Sequence, residues 1–431
     1  MSRRPAIRPE RLAARLARFA EIGATPRGGV NRQALTEGDR QARALLADLA
    51  LARGFALRQD DAANLFLRRE GGDPALPPLL LGSHLDTQPT GGRFDGALGV
   101  LAGFEVLEAL EDAGARTGRA VELVSWTNEE GCRFAPGAMG SQAFAQGQIA
   151  PEWREARAPD GARLDDELAL TLAVLPGVLL APLGSPIAAY LELHIEQGPI
   201  LEREDVPVGV VTGIQGTIWL EVTLTGQAAH AGTTPLDFRR DPLAAATRLL
   251  AALHGEVMPS DPQARFTVGR IEASPGSVNA VPESVTFTVD LRHPDAARLA
   301  ALEQRVREAA MREAERARCT ASFRPLAHMP PLAFPEAMLE VIETGAGRAG
   351  LPTLRLISGA FHDALHVARC APTAMIFCPC RDGISHNEAE DVEPRFVAAG
   401  ATALLEASLA FLERAEMGTS IETRGAAMRA G

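Results

Sequence analysis

The chain contains no lysine. All 43 of its basic residues are arginine, which removes every mechanism that needs a lysine amine: Schiff-base chemistry, a pyridoxal-phosphate anchor, the phosphate-loop lysine and the kinase strand lysine. Positive charge is also in deficit. With 55 acidic residues and a formal net charge of −12, non-specific nucleic-acid binding is not expected, because it needs a positive field against phosphates. Cysteine is scarce: Cys132, Cys319, Cys370, Cys378 and Cys380 are odd in number and form no CxxC pair, so no disulfide scaffold is expected at this size. Cys378 and Cys380 form CxC after an apolar strand and read as small buried hydrophobes. The single tyrosine, Tyr190, carries no functional signal, and Trp126 and Trp219 read as sheet-packing residues. One stretch raises the question of a membrane span. Leu168 to Leu191 is uncharged, but Pro176, Gly177, Pro182, Gly184 and Pro186 interrupt it, short of the roughly 20 continuous apolar residues a membrane helix needs. The basic N-terminus lacks the apolar core of a signal peptide and reads instead as an amphipathic helix with Leu12, Leu16 and Phe19 on one face. The cytoplasm is the expected compartment, with no membrane partner.

What is present is ordinary globular material. The 431 residues are 46% apolar and 23% charged, and at ~150 residues per domain two or three domains are expected. From residue 78 onward strands and helices alternate. Pro78–Gly82, Ala120–Thr127, Tyr190–Ile195 and Thr373–Phe377 read as buried strands; Gly99–Leu110 and Phe396–Phe411 read as helices. This alternation predicts an α/β fold with a mainly parallel sheet. The stretch 213–323 differs. Ile218–Thr225 alternates in period two, and Asp241-Pro242 caps a helix through about Leu253. Strands follow near Arg265–Ile271 and Ser284–Leu291, then a long charged helix from Pro294 to about Arg318. This reads as an inserted α+β (ferredoxin-like) domain, with residues 1–212 and 324–431 forming the other domain. The tail after Met417 is expected to be poorly ordered.

Metal-type ligands collect just past the predicted strands: His84 and Asp86 in GSHLDT, Asp95 in GGRFDGALG, Glu129 and Glu130 in TNEEG, His194 in LHIEQ and His386 in GISHN. Sites in open α/β sheets form at the carboxyl ends of strands, so one cleft could gather these residues. Two or more histidines with carboxylates suit Zn²⁺ or a similar divalent ion. A pair of metals needs a shared ligand, and Asp95 in its glycine-flanked loop is the natural bridge. His-x-Asp suits a ligand histidine held by a carboxylate, and adjacent Glu129 and Glu130 can divide metal binding from proton transfer. Taken singly, each has a plainer reading: His84 as a polar loop residue, the glutamate pair as a solvated surface. Their joint placement is what points to a metal hydrolase.

The strings GSHLDTQPTGGRFDGALGVLAGFEVL, TNEEGCRF, LELHIEQGPILE, GQAAHAGTTP, NAVPESVTFTVDLRHPD and GISHNEAED together resemble the dinuclear-metal amidohydrolases of the aminoacylase/carboxypeptidase superfamily. Within it they resemble the branch of N-carbamoyl-amino-acid hydrolases, β-ureidopropionases and allantoate amidohydrolases. The resemblance covers about Ile22 to Leu412. It implies a metallohydrolase domain carrying an inserted lid and dimerisation domain, and two divalent ions per subunit: Zn²⁺ first, with Mn²⁺, Co²⁺ or Ni²⁺ as alternatives. His84, Asp95 and His194 would hold one ion and Asp95, Glu130 and His386 the other. Glu129 would be the general base, with Asp86 orienting His84. Gln197, His230, Asn279 and Arg292 match substrate-binding positions, His230 also steadying the oxyanion, and a homodimer through the inserted domain is implied. Without the resemblance, Arg292 reads as a strand-end charge, His230 as a loop histidine and Asn279 as a turn residue. One departure stands out: in SGAFHDA, Phe361 occupies a pocket-lining place where many relatives carry glycine, and His362 and Asp363 after it read as loop structure first, with substrate contact as the alternative. The expected substrate is a small N-carbamoyl (α or β) or ureido acid, cleaved to amino acid, CO₂ and ammonia. Allantoate hydrolysis, aminoacylase or dipeptidase activity, and a catalytically dead binding protein are the alternatives. Intact Glu129 and metal ligands speak against the last.

Overall fold

The structure is a computed structural model and describes residues 4–416; the expectation for the tail after Met417 lies outside them. Two compact units divide the chain, one formed by Gly213–Ala333 and the other by the residues before and after it.

The first unit is built on a large sheet. Its four central strands are Thr373–Cys378, Ala189–Ile195, Leu79–His84 and Val121–Trp126, in that spatial order and all parallel. Every residue in them is buried. Near-continuous apolar runs of this kind fit strands covered on both faces. The flanks run the other way: Leu65–Arg69 is antiparallel to Val121–Trp126, and Val208–Ile214 is antiparallel to Thr373–Cys378. The sheet is therefore parallel at its centre, where the candidate ligands cluster, and turns antiparallel at the strand on either side of it. Helix Ala97–Asp112 lies on this centre and buries every residue from Ala97 to Leu110, as expected of a helix apolar all round. It approaches so closely that a Cβ at Gly99 would sit 2.2 Å from the Leu193 carbonyl oxygen. The last helix, Pro394–Glu416, is long and apolar enough over Pro394–Arg414 to cross a membrane by length and composition. However, 72% of its most apolar window is buried inside the protein, which makes it a core helix. The N-terminal helix Pro9–Ala20 buries Leu12, Leu16 and Phe19 and is tied down by Arg11 to Glu105 at 2.7 Å and Arg15 to Glu108 at 2.8 Å.

The second unit runs strand–helix–strand–strand–helix–strand. Its main strands are Gly216–Thr225, Arg265–Thr267, Ser284–His293 and Thr320–Met329, arranged fourth-first-third-second in an antiparallel sheet, the order of a ferredoxin-like unit. Helices Pro242–Ser260 and Ala296–Arg316 supply Ala245, Leu249, Leu253, Leu299 and Val306 to a core with Ile218, Leu220, Val222 and Leu224. Asp241 and Asp295 cap these helices by accepting backbone N–H groups of Leu243, Ala244 and Arg298, which ties up otherwise orphaned donors. The structure corrects two expectations. The strand expected over Arg265–Ile271 is two short strands, Arg265–Thr267 and Ile271–Ser274, both paired with Ser284–His293. The expected boundary at residue 323 falls inside Thr320–Met329. That strand lies at the sheet edge, mostly exposed, with Pro325 at a register shift. Proline is confined to edges or bulges because it cannot donate to the ladder, and this hid the strand in the sequence.

Candidate functional site

The central strands deliver the candidate ligands at their carboxyl ends, where open α/β sheets place their sites. His84 is the last residue of its strand and His194 the last but one of its own. Glu129 and Glu130 follow Trp126, His386 follows the strand ending at Cys378, and Asp95 sits just before helix Ala97–Asp112.

These side chains converge on Asp95. Its Oδ1 lies 3.2 Å from His194 Nε2 and 3.9 Å from His84 Nε2; its Oδ2 lies 3.3 Å from His386 Nε2. Glu130 Oε2 is 3.6 Å from His386 Nε2, and Glu129 Oε2 is 3.5 Å from His84 Nε2. Two groups result whose ligand atoms could each hold one ion: His84, Asp95 and His194, all buried, and Asp95, Glu130 and His386. The second group is more open, with the His386 side chain 51% exposed.

The electrostatics of the cluster call for a cation. Burial pushes Glu129 well above the usual carboxylate range, reinforced by the charges of Asp363, Glu130 and Asp86. Burial and Asp95 do the same to Glu130. Asp95 goes the other way: burial works against its charge, but the close approach of His194, His386 and His84 holds it well below the usual range. Burial also opposes charge on His194, yet Asp95 and Glu192 raise it to about 9. His84, dominated by burial, drops to about 4. Crowded buried carboxylates are costly without a compensating positive charge. His194 Nε2 is buried and makes no hydrogen bond, although it faces Asp95. An imidazole nitrogen left open toward carboxylate oxygens fits a divalent ion of the Zn²⁺ or Mn²⁺ kind.

Asp86 orients His84 as expected, but with its backbone carbonyl rather than its carboxylate. His84 Nδ1 donates to the backbone carbonyl of Asp86 at 2.9 Å, while the carboxylate is 3.9 Å away. The carboxylate instead accepts the backbone N–H groups of Glu129 at 3.3 Å and Glu130 at 3.1 Å. It fixes the turn that carries both glutamates. Gln197 lies beside the ligands, its Nε2 3.2 Å from Asp95 Oδ2 and 3.4 Å from His386 Nε2, with its Oε1 buried and unpaired. The Phe361 ring tip lies 3.1 Å from where a Gly137 side chain would begin, beside the backbone carbonyl of Glu129. His362 packs its ring 4.5 Å from that of His194 and meets Ser358 Oγ at 2.9 Å, and Asp363 is fully buried.

Beside the site, the buried carboxylates Glu390 and Glu192 escaped the sequence reading. Glu390 accepts the N–H groups of Phe94 at 2.9 Å and Asp95 at 3.0 Å, and Ser385 Oγ lies between Glu390 Oε2 and Asp95 Oδ2. It clasps the Asp95 loop to the His386 loop. A position four residues past His386 in an acidic string was its only signal. Glu192, two residues before His194, accepts Ser83 Oγ at 2.9 Å, Tyr190 OH at 3.2 Å and the N–H of Ala364 at 3.1 Å. Tyr190 in turn accepts Trp126 Nε1 at 2.9 Å, so the lone tyrosine ties the sheet to the floor of the site.

His230, Asn279 and Arg292 belong to the second unit. His230 and Asn279 are neighbours there: His230 pairs with Ala280, and the Asn279 carbonyl accepts the N–H of Ala231 at 3.0 Å. Arg292, on strand Ser284–His293, holds the Asp290 carboxylate at 2.8 Å.

Residues 80–410 match the sequence profile of peptidase family M20/M25/M40. An N-carbamoyl-L-amino-acid amidohydrolase of Rhizobium meliloti is 42% identical over 411 residues, covering 95% of this chain and 98% of that protein. Another, from Geobacillus stearothermophilus, is 38% identical, covering 92% and 97%. A crystal structure of a hydantoinase/carbamoylase-family amidase from Burkholderia multivorans superposes with a TM-score of 0.88 at 42% identity, covering 94% of this chain and 98% of that one.

The placement of Asp86 yields a prediction. Asp86→Asn leaves the carbonyl contact to His84 intact but turns an amide N–H toward one of the two backbone donors. One buried donor then loses its acceptor, at a cost of about 1–3 kcal/mol. Chemical denaturation should register this loss while the protein still retains an ion in the His84 group. A variant that folds normally but loses that ion would restore the Asp86 carboxylate as the partner of His84.

Proposed function

Because the chain belongs to peptidase family M20/M25/M40, we propose that its buried centre hydrolyses the carbamoyl C–N bond of N-carbamoyl amino acids, yielding the amino acid, CO₂ and ammonia. The observation that carries this reading is the sharing of Asp95 by two three-residue ligand groups, with Glu129 beside them. The names of the similar amidohydrolases supply the substrate class. His84, Asp95 and His194 would hold one divalent ion, and Asp95, Glu130 and His386 a second. Zn²⁺ suits this nitrogen–oxygen set first, and Mn²⁺, Co²⁺ and Ni²⁺ fit it also. When bound, such ions polarise the scissile carbonyl and lower the pKa of water.

The chain's own residues do the rest. Glu129 takes the proton of the attacking water and passes it to the leaving nitrogen. Its burial beside the ligand groups, 3.5 Å from His84, suits a group that must hold that proton between the two steps. Gln197 offers an amide beside Asp95 for substrate contact. Phe361, against Gly137, would narrow the pocket and favour compact substrates. In the second unit, Arg292 already grips a carboxylate in Asp290, the chemistry a substrate carboxylate would ask of it. His230 and Asn279 are assigned to substrate binding as well, His230 as the oxyanion partner. The same unit leaves Leu236, Phe238 and Val278 exposed near His230 and Asn279 in sequence. We assign that face to a homodimer contact, and a monomeric mass in light scattering would remove the assignment. The five cysteines are all free, which fits the reducing cytoplasm.

Ammonia release from the chelated and then Zn²⁺- or Mn²⁺-reloaded protein tests the reaction. The substrates are N-carbamoyl-L-amino acids, N-carbamoyl-β-alanine and allantoate, with an N-acetyl amino acid as control. Metal-dependent ammonia from an N-carbamoyl amino acid is expected; cleavage of the N-acetyl compound alone would move the chain to the aminoacylases. Glu129→Gln should keep its metal content and lose nearly all turnover. A variant retaining more than about a tenth of the rate would remove Glu129 as the base.

A further inference from the structure

The two ligand groups are held by different means. In the buried group both histidines are oriented by main chain: His84 Nδ1 meets the Asp86 carbonyl at 2.9 Å and His194 Nδ1 the Ile195 carbonyl at 3.0 Å. In the half-exposed group the carboxylate Glu130 is oriented by one residue from both ends. Gln88 gives its backbone N–H to Glu130 Oε1 at 3.0 Å and its side-chain Nε2 to Glu130 Oε2 at 2.7 Å. Oε2 is also the oxygen that faces His386 Nε2, at 3.6 Å. A carboxylate oxygen has two lone-pair directions, so the amide can occupy one while the other points into the ligand group.

The loop behind Gln88 is rigid. Thr87 Oγ1 accepts the N–H of Arg32 at 2.8 Å, and the Thr87 N–H donates to the Arg32 carbonyl at 3.0 Å. The amide type matters as well. A cationic donor there would neutralise Glu130 and repel an incoming ion, a carboxylate would repel Glu130, and an apolar side chain would leave Oε2 free to turn away. A neutral donor of this length fixes the ligand without cancelling its charge.

We infer that Gln88 is a positioning residue for the half-exposed metal site, holding Glu130 so that this site binds its ion and leaving the buried site untouched. The inference rests on the two-ion reading above. Gln88→Leu keeps the volume and the backbone N–H and removes only the side-chain donor. Metal-free wild-type and variant protein would be titrated with Zn²⁺ by calorimetry and with Co²⁺ by absorbance. Wild type should take two ions per chain. The variant should keep the tight ion unchanged and bind the second with a dissociation constant raised about 10- to 100-fold, the usual effect of losing a partner that orients a ligand. Its metal-free melting temperature should fall only by the loss of one hydrogen bond, whereas a general structural defect would weaken the tight site as well. Gln88→Met, unbranched and equally without a donor, carries the same measurement if the leucine variant misfolds. Equal weakening of both sites, or two unchanged sites, overturns the role of Gln88. Wild-type protein that takes fewer than two ions overturns the two-ion reading itself, and the inference with it.

Discussion

The carboxylate of Asp95 is the point on which the site depends. One oxygen serves His84 and His194, the other serves His386, and Gln197 and Ser385 gather on the same second oxygen. A single side chain can do this only if its loop is immobile. Glu390 secures that by binding the N–H groups of Phe94 and Asp95, at a place where a Cβ on Gly92 would lie 2.0 Å from the Glu390 carboxyl. The glycine before Asp95 is therefore as necessary as the aspartate. Helix Ala97–Asp112 then anchors the loop from the other side, pressed against the Leu193 carbonyl at Gly99, one residue from His194.

Beneath this lies a layer of buried acid. Glu192 and Asp86 are both raised to about 7 by burial, and each is engaged by several donors rather than left to solvent. Their work is geometric. Asp86 sets the glutamate turn, and Glu192 ties the strand bearing His194 to Ser83, next to His84. Hydrogen-bonded buried carboxylates of this kind hold backbone segments in one arrangement, at a desolvation cost that apolar contacts would not incur. Asn128, Gln197 and His386 adopt left-handed backbone conformations, with φ of 56°, 57° and 53°, and such strain persists only where the surroundings over-determine the chain.

Much of this was legible in the sequence for a physical reason. Polar residues that follow apolar runs fall at strand ends, so His84, Glu129, Glu130 and His194 could be placed near one another from hydrophobic patterning, while their division into two candidate groups came from the family resemblance. Asp95 was legible because a glycine-rich loop before an apolar helix is a sharp turn. What the sequence could not carry was which atom of a residue does the work. His-x-Asp says that Asp86 is near His84, not that its carbonyl makes the contact and its carboxylate faces the other way. Glu390 was hidden among acidic neighbours, and Gln88 reads as a loop amide until Glu130 is folded against it. The strand Thr320–Met329 was missed because its pairing is one-sided and its proline argues against it.

The two ligand groups also differ in where along the chain their members lie. His84, Asp95 and His194 all precede the second unit, and the strands bearing His84 and His194 are direct neighbours in the sheet. The group containing His386 cannot close until the chain has passed through the second unit and returned to lay Thr373–Cys378 beside Ala189–Ile195. Chains fold from the N-terminus as they are synthesised. The order of translation is thus the order in which the members of the two groups are made, but Glu390, which fixes the Asp95 loop, also follows the second unit, so even the early-made group waits for the returning C-terminal segment to hold its shared aspartate in place.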